Sequence, residues 1–400
     1  MKRAVVGAFI FFGFASATPA TAASIGAKGI PPIWQSTVED GYRIEEGFFS
    51  VRIAGNPFLL QGLIVKKADA VGRLPIMIYT HGATTSIKRR QEMSPRGPKD
   101  INLRLIRDYA RRGWLAVFVL RRAYGQSDGP DPVTGFKCDT TTPTFQDWMD
   151  ASADDLQATL TYLGRREDAD LSRIMALGVS GGGATVVALG ARNIPGLKVV
   201  VSVSGGFVLA NCAGYSDHLR LIEAMRYYGT KAKVPNLWYY AKNDSLLPEG
   251  MVVKMREAFL EGGASAKLVL YPNLIDPATN QEVDGHLLWT TRTSAIMLDV
   301  DRFLRSDGLP TWDYEEATTL AEKHDIKIVP IPSLIELYLA SPGYKALAQS
   351  TTSGISLADT YASDTLEHAK ERAVAACQRR YPGHACKIID PPGAHPPRGR

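Results

Sequence analysis

Long apolar runs are what this chain most plainly lacks once its first two dozen residues are past. A membrane-spanning helix needs roughly 20 consecutive apolar residues, and no later segment offers them. Cysteine is scarce: Cys138, Cys212, Cys377 and Cys386 are the four present, and none forms a Cys-x-x-Cys pair, which argues against a structural zinc site. Histidine, aspartate and glutamate form no cluster at metal-ligand spacing, so neither a metal nor another cofactor is expected, and a chelator should change nothing. The formal charge balance is +5, with charged residues scattered and no basic run interleaved with aromatics. That argues against a nucleic-acid partner. No internal repeat is apparent.

What is present begins at the N-terminus. Lys2 and Arg3 precede an apolar run over 4–14, and small residues then lead to Ala20-Thr21-Ala22. This is the pattern of an export leader, with a positive start, an apolar centre and an A-x-A cleavage signal. Residues 1–23 are therefore expected to be removed near Ala22 or Ala23, which takes the formal balance from +5 to +3. The chain is expected to be exported, periplasmic or secreted in a bacterium, without stable membrane insertion once the leader is gone. An even number of cysteines in an exported chain suggests two disulfides. Cys377 and Cys386 bracket Tyr381-Pro382-Gly383 and form the expected short-range pair. Cys138 and Cys212 remain to pair with each other.

Hydrophobic residues make up 45% of the chain and charged residues 22%, enough apolar material for a large core. Unbroken apolar runs occur at 74–79, 114–120, 174–179, 197–203, 236–241 and 267–271, as strands buried on both faces of a parallel sheet require. Helical spacing lies between them. Ile101, Leu105, Ile106 and Tyr109 share a face, with Asp100 placed to cap the start and Gly113 to end the helix. Leu156, Leu160 and Leu163 define a second helix before Gly164. Met251, Met255 and Phe259 define a third before Gly262, and Ile296, Val300 and Phe303 a fourth. The alternation predicts a doubly wound, mostly parallel α/β domain over 24–310. Beyond Pro310 the pattern changes to helical segments, notably 366–378, and a proline-rich tail. Residues 311–400 are read as a small helical C-terminal appendage that contains Cys377 and Cys386.

The chemistry-bearing residues fall at strand ends. Gly178-Val179-Ser180-Gly181-Gly182 has the G-x-S-x-G spacing, follows an apolar strand and precedes a buried helical stretch. A tight strand-to-helix turn needs small neighbours and lifts the serine hydroxyl clear of the sheet. A serine hydroxyl also needs a base. Of the seven histidines, His286 in Val283-Asp284-Gly285-His286 follows the last strand and precedes the final helix. His218 lies in a polar segment, and His81 is placed to brace a turn. Asp244 ends the strand at 236–241 and is the acid candidate, with Asp276 as the alternative. The oxyanion of an acyl-transfer reaction needs two N–H donors. Gly181 is the first candidate, and Ala83 or Thr84, in His81-Gly82-Ala83-Thr84, is the second.

Five pieces occur in order over 80–286: Thr80-His81-Gly82; Arg121-Arg122-Ala123-Tyr124-Gly125-Gln126-Ser127-Asp128-Gly129; the Ser180 turn; Lys242-Asn243-Asp244; and Asp284-Gly285-His286. With them the chain resembles an α/β-hydrolase of the dienelactone-hydrolase-like or prolyl-oligopeptidase-like branch, with a serine nucleophile. The resemblance implies metal-free hydrolysis of an ester, thioester, lactone or amide, with a small-molecule acyl substrate. One departure separates the chain from true dienelactone hydrolases, which carry cysteine where Ser180 stands. The long propeller usual in prolyl oligopeptidases is not expected, because only about fifty residues precede the first apolar strand read here. A serine peptidase of the same fold and an inactive, binding-only hydrolase fold are the alternatives.

Segment 206–235 is a candidate cap. Its Phe207 and Leu209, with Leu219, Leu221, Ile222, Met225 and Tyr227, either line an acyl pocket or form cap core, and Tyr124 is a further pocket candidate. Ala375-Ala376-Cys377 and Cys386-Lys387-Ile388 resemble short cysteine-containing tails of exported bacterial proteins, with no partner implied.

Overall fold

A computed structural model describes residues 34–39, 41–84, 97–130, 144–207, 215–275, 281–311, 344–350, 355–357, 365–380 and 382–389. The expected leader at 1–23, together with Cys138, Leu209, Cys212 and Asp276, lies outside them.

Nine strands form one sheet: β1 (Gln35–Glu39), β2 (Tyr42–Ile53), β3 (Asn56–Lys67), β4 (Leu74–Thr80), β5 (Leu115–Val119), β6 (Ala169–Val179), β7 (Leu197–Val203), β8 (Asn236–Ala241) and β9 (Ala266–Tyr271). Their order is β1-β2-β3-β5-β4-β6-β7-β8-β9. The first three pair antiparallel, β3 pairs antiparallel with β5, and every pair from β5 to β9 is parallel. The chain steps one way from β4 to β5 and the other way to β6. The crevice where ligands bind in open α/β sheets therefore lies at the carboxyl ends of β4 and β6.

Side-chain alternation in the strands builds two cores. Ile76, Ile78, Val117, Ile174 and Ala176 face one side, where α2 (Phe145–Leu163), α3 (Gly181–Gly190), α4 (Tyr215–Gly229) and α5 (Glu249–Glu261) pack. Met77, Tyr79, Phe118, Met175 and Leu177 face the other side, covered by α1 (Gly97–Arg111) and α6 (Leu288–Ser306). Each large aliphatic side chain so enclosed contributes roughly 1.5–3 kcal/mol. Helix α4 comes from the segment read as a candidate cap, yet Leu221, Met225 and Tyr228 enter the first of these cores.

Local signals explain most helix ends. Thr144 caps α2 in a reciprocal box, its hydroxyl accepting the Asp147 N–H at 3.0 Å while its own N–H donates to Asp147 at 2.6 Å. Gly113, with φ of 104°, follows the end of α1. The start of α1 differs from expectation. Asp100 sits inside the first turn, because the helix begins at Gly97, where the Glu46 carboxylate from β2 accepts the Lys99 N–H at 3.2 Å. The cap is supplied from a distant strand.

Two ionic clusters tie elements together. Asp168 joins Lys66 of β3 at 2.8 Å and Arg166 at 2.8 Å, and Arg166 reaches Glu45 of β2 at 2.8 Å. Arg112, just past α1, is buried between Asp108 and Asp301 of α6, with Nη2 2.9 Å from Asp301.

The C-terminal segment forms its own three-stranded antiparallel sheet, ordered β11-β10-β12, from β10 (Leu347–Ser350), β11 (Ile355–Leu357) and β12 (Cys386–Ile389). Helix α7 (Leu366–Arg380) packs on it through Ala369, Ala373 and Cys377. A disulfide joins Cys377 to Cys386, with Cα atoms 6.1 Å apart. The appendage is thus mixed strand and helix, where sequence reading expected helix. No helix among the described residues is long and apolar enough to cross a membrane.

Candidate active site

Ser180 occupies the turn between β6 and α3 with φ of 56° and ψ of −125°, a conformation that costs of order 1–3 kcal/mol for a residue with a side chain. The turn closes only because its neighbours lack side chains. A Cβ on Gly182 would lie 2.5 Å from the carbonyl oxygens of both Thr80 and His81. Ser180 stands at the N-cap of α3, yet its hydroxyl makes no capping bond. It points instead to His286, with Oγ 3.0 Å from Nε2. The remaining ring nitrogen, Nδ1, lies 3.0 and 3.1 Å from the two oxygens of Asp244. A carboxylate only accepts, so Nδ1 carries the proton and Nε2 is left to accept from serine.

Asp244 follows β8, is 2% exposed, and accepts the backbone N–H groups of Leu246 and Leu247 at 2.9 Å each. Its loop and the histidine loop are stitched together. Asn243 Nδ2 donates to the Val283 carbonyl at 2.8 Å, Gly285 N–H donates to the Asn243 carbonyl at 3.1 Å, and Asn243 Oδ1 accepts the Leu274 N–H at 2.9 Å. Asp284 accepts the His286 N–H at 2.9 Å and caps the short 3₁₀ turn Gly285–Leu287. Burial would raise the Asp284 carboxyl, but bonds from Ser245 and His286 hold it below the usual carboxylate value.

Two backbone N–H groups flank the serine. Gly181 begins α3, whose first-turn donors have no partner within the helix. The Ala83 nitrogen lies 2.9 Å from where a Cβ on Gly181 would stand. The Thr84 N–H, the other candidate, is engaged by the Tyr124 hydroxyl at 3.0 Å.

Segment 80–84 is held from the end of β5. Arg121 is 1% exposed, and its Nη1 donates to Thr80 Oγ1 at 2.9 Å and to the His81 carbonyl at 2.6 Å, while Nη2 donates to the Gly82 carbonyl at 3.0 Å. The Arg121 backbone N–H donates to His81 Nε2 at 3.2 Å, and His81 Nδ1 donates to the Gly82 carbonyl at 2.6 Å. One ring nitrogen accepts and the other donates, which is the neutral imidazole. Burial, reinforced by the Arg121 charge, holds the His81 pKa well below its ordinary value. His81 braces a turn.

Tyr124 is buried, its ring 4.3 Å from His81 and its hydroxyl committed to Thr84, so it too braces segment 80–84. Phe207 stacks on Trp148 with centroids 4.9 Å apart. The Trp148 ring edge comes within 3.1 Å of the Cβ position at Gly181, which puts an aromatic wall beside the serine. Sequence reading missed Trp148, because it carries the periodicity of an ordinary core residue of α2. Leu209 lies outside the described residues, as does the side chain of His218. Among the described residues no group of three His, Cys, Asp or Glu side chains is placed to hold a metal ion.

A mostly parallel, helix-covered sheet with a strand-to-helix serine turn at its switch point defines an α/β-hydrolase fold. Residues 102–278 match the dienelactone hydrolase family. The matched segment includes Ser180 and Asp244 and ends before His286. No curated protein matches the chain. Among solved structures, the chain is similar to a candidate dienelactone hydrolase from Klebsiella pneumoniae (21% identity, 57% of this chain and 85% of that one, TM-score 0.38). It is similar also to acetyl xylan esterase 1 from a Thermoanaerobacterium species (17% identity, 61% and 82%, TM-score 0.42). A third is the acylaminoacyl peptidase of Pyrococcus horikoshii (15% identity, 68% and 42%, TM-score 0.44).

Proposed function

We propose that the protein is a serine hydrolase that cleaves a carboxylic ester or related acyl bond through an acyl-enzyme intermediate. The observation that carries this reading is the unbroken chain from Ser180 Oγ through His286 to Asp244, with bonds near 3.0 Å at each link. In the reaction the Ser180 oxygen attacks the acyl carbon while its proton passes to His286 Nε2. The resulting oxyanion takes hydrogen bonds from the Gly181 and Ala83 N–H groups. The imidazolium, paired with Asp244, then returns the proton to the departing alkoxide as the bond to the leaving group breaks. Water, deprotonated by the same imidazole, attacks the acyl-serine, and the imidazolium returns that proton to Ser180 Oγ as the acyl bond breaks, which releases the acid and restores the serine. The dienelactone hydrolase match favours an ester or lactone over an amide. The wall formed by Trp148 and Phe207 favours an apolar acyl group.

A fluorophosphonate probe tests the mechanism: labelling of the wild type and none of Ser180→Ala is the expected result. Labelling retained in a folded Ser180→Ala protein would overturn it. Parallel rates on p-nitrophenyl esters and aminoacyl amides separate esterase from peptidase. The reading includes export and a bridge from Cys138 to Cys212, both supported by the leader pattern and the even cysteine count. Non-reducing peptide mapping of the exported protein checks both, and a Cys138 peptide linked elsewhere or carrying a free thiol would overturn the pairing.

A further inference from the structure

Arg121 is a cation in an unusual place. Its guanidinium is almost fully buried, yet among the described residues no carboxylate pairs with it. Its hydrogen bonds at 2.6–3.0 Å go to the Thr80 hydroxyl and the His81 and Gly82 carbonyls, and it lies 5.5 Å from the centre of the Tyr124 ring. The next residue, Arg122, does have a buried carboxylate: Asp155, with Nε 2.6 Å from Oδ1 and the backbone N–H 2.9 Å from Oδ2. Asp155 attracts the Arg121 charge from a distance but makes its hydrogen bonds to Arg122, so Arg121 has no carboxylate in direct contact. Burying a guanidinium without a carboxylate in direct contact is costly. Burial lowers the Arg121 pKa accordingly, though a guanidinium remains charged throughout the working range. The position of this cost is informative. The carbonyls it grips belong to the two residues immediately before Ala83, whose nitrogen lies 2.9 Å from where a Cβ on Gly181 would stand. The Gly82 carbonyl and the Ala83 N–H belong to one planar trans peptide and point opposite ways, so a grip on the Gly82 carbonyl, steadied by the one on His81, fixes the direction of the Ala83 N–H.

We infer that Arg121 is a positioning residue for the oxyanion: it turns the Gly82–Ala83 peptide so that its N–H faces Ser180, and it sets a full positive charge behind that donor. The inference rests on the serine-hydrolase reading. A preorganised charge in a site closed to water acts most strongly where negative charge develops, in the tetrahedral state rather than in the bound ester. The effect should therefore fall on kcat and on the binding of tetrahedral mimics, and leave KM nearly untouched. A lysine at this position keeps the charge but cannot span Thr80, His81 and Gly82 together, because an ammonium lacks the planar fork.

The test compares wild type, Arg121→Met and Arg121→Lys, with active sites counted by fluorophosphonate titration so that misfolded protein drops out of every rate. On a p-nitrophenyl ester, Arg121→Met should lose about 10- to 100-fold in kcat with KM within about threefold, and Arg121→Lys about tenfold. Affinity for an arylboronic acid, which forms a tetrahedral adduct on serine, should fall in proportion to kcat. Thr80→Val removes one contact of the grip and serves if the arginine variants do not fold; about a threefold loss of kcat per titrated site is expected. Unchanged kcat and boronate affinity per site in the variants that fold would show that Arg121 only supports the fold, and would overturn the inference. A wild-type protein that the fluorophosphonate does not label would overturn the serine-hydrolase reading itself, and this inference with it.

Discussion

Asp284 holds Ser245 at two points, accepting its backbone N–H at 3.1 Å and its hydroxyl at 2.5 Å. The same carboxylate accepts the His286 N–H. The loop that carries Asp244 and the loop that carries His286 are therefore clasped by a residue that touches neither the serine nor the acid side chain. The spacing of acid and base is set locally, although 42 residues separate them in the chain.

Asp284→Ala should therefore loosen the pair without unfolding the protein. An activity loss of about 10- to 100-fold is expected, since misplacement of a base by a fraction of an ångström is costly. Ser245→Ala, which removes one of the three bonds, should lose less. Steady-state rates alongside thermal melts check this, and a drop in melting temperature that accounts for all lost activity would contradict it.

Gly285→Ala should be more damaging. Its Cβ would stand 2.4 Å from the Asp244 nitrogen and 2.7 Å from the Asn243 carbonyl carbon, so the two loops must part. A loss of about 100-fold or more in kcat/KM is expected, with the far-ultraviolet circular dichroism unchanged. Retention of more than about a tenth of wild-type activity would show that the loops yield easily.

How much of this was legible in the sequence depended on the kind of contact. The strands from β4 to β9 stood out because burial on both faces makes each an unbroken apolar run. The antiparallel β1, β2 and β3 did not. Tyr42–Ile53 alternates buried and open positions and carries Arg43, Glu45, Glu46 and Arg52, so it reads as surface. Ser180, Asp244 and His286, which the structure brings together, follow β6, β8 and β9 in a fixed chain order, with His286 in the short turn before α6. The clasp by Asp284, the grip of Arg121 and the wall of Trp148 depend on partners 39 or more residues away or on packing, and no periodicity announces them. The α1 start was misplaced for the same reason, since Glu46 lies 53 residues upstream of Lys99.

The buried Asp155 gives the fold a pH signature. Burial pushes its carboxyl up to about 6, against the pull of Arg122, from an ordinary value of 3.8. Between about pH 4 and 6 the unfolded chain has already released this proton while the folded chain still holds it. Stability should therefore fall as pH rises through that window and level off above it, by about 3 kcal/mol if the shift is fully expressed. Asp168 acts in a lower window: burial would raise it, but bonds from Arg166 and Lys66 bring it to about 2, so its stabilisation is lost only as pH falls below about 4. Denaturant unfolding at pH 4, 5, 6 and 7 should show the decline in the wild type and a flatter profile in Asp155→Asn. Equal slopes in the two proteins would refute the assignment.

Removing Asp301 should affect stability and spare the chemistry. Its carboxylate meets Arg112 Nε and Nη2 at 2.9–3.1 Å in a site closed to water. Asp301→Asn leaves that guanidinium with Asp108 as its remaining anionic partner in the cluster. A loss of about 3 kcal/mol in urea unfolding is expected, with kcat per folded molecule unchanged. A neutral effect would mean that the pair only offsets its own desolvation.

Helix α3 has no face turned to water: all ten of its residues, Gly181–Gly190, are buried, and none is charged. A helix without an amphipathic stripe gains nothing by forming on the surface of a partly assembled chain. It becomes stable only when β6, β7 and α2 are already in place around it. The strained Ser180 turn, which is joined to that helix, has no earlier source of support. A chain in which those elements have come apart thus carries Ser180 as an ordinary alcohol, because its distinctive geometry is held by the assembled core around α3.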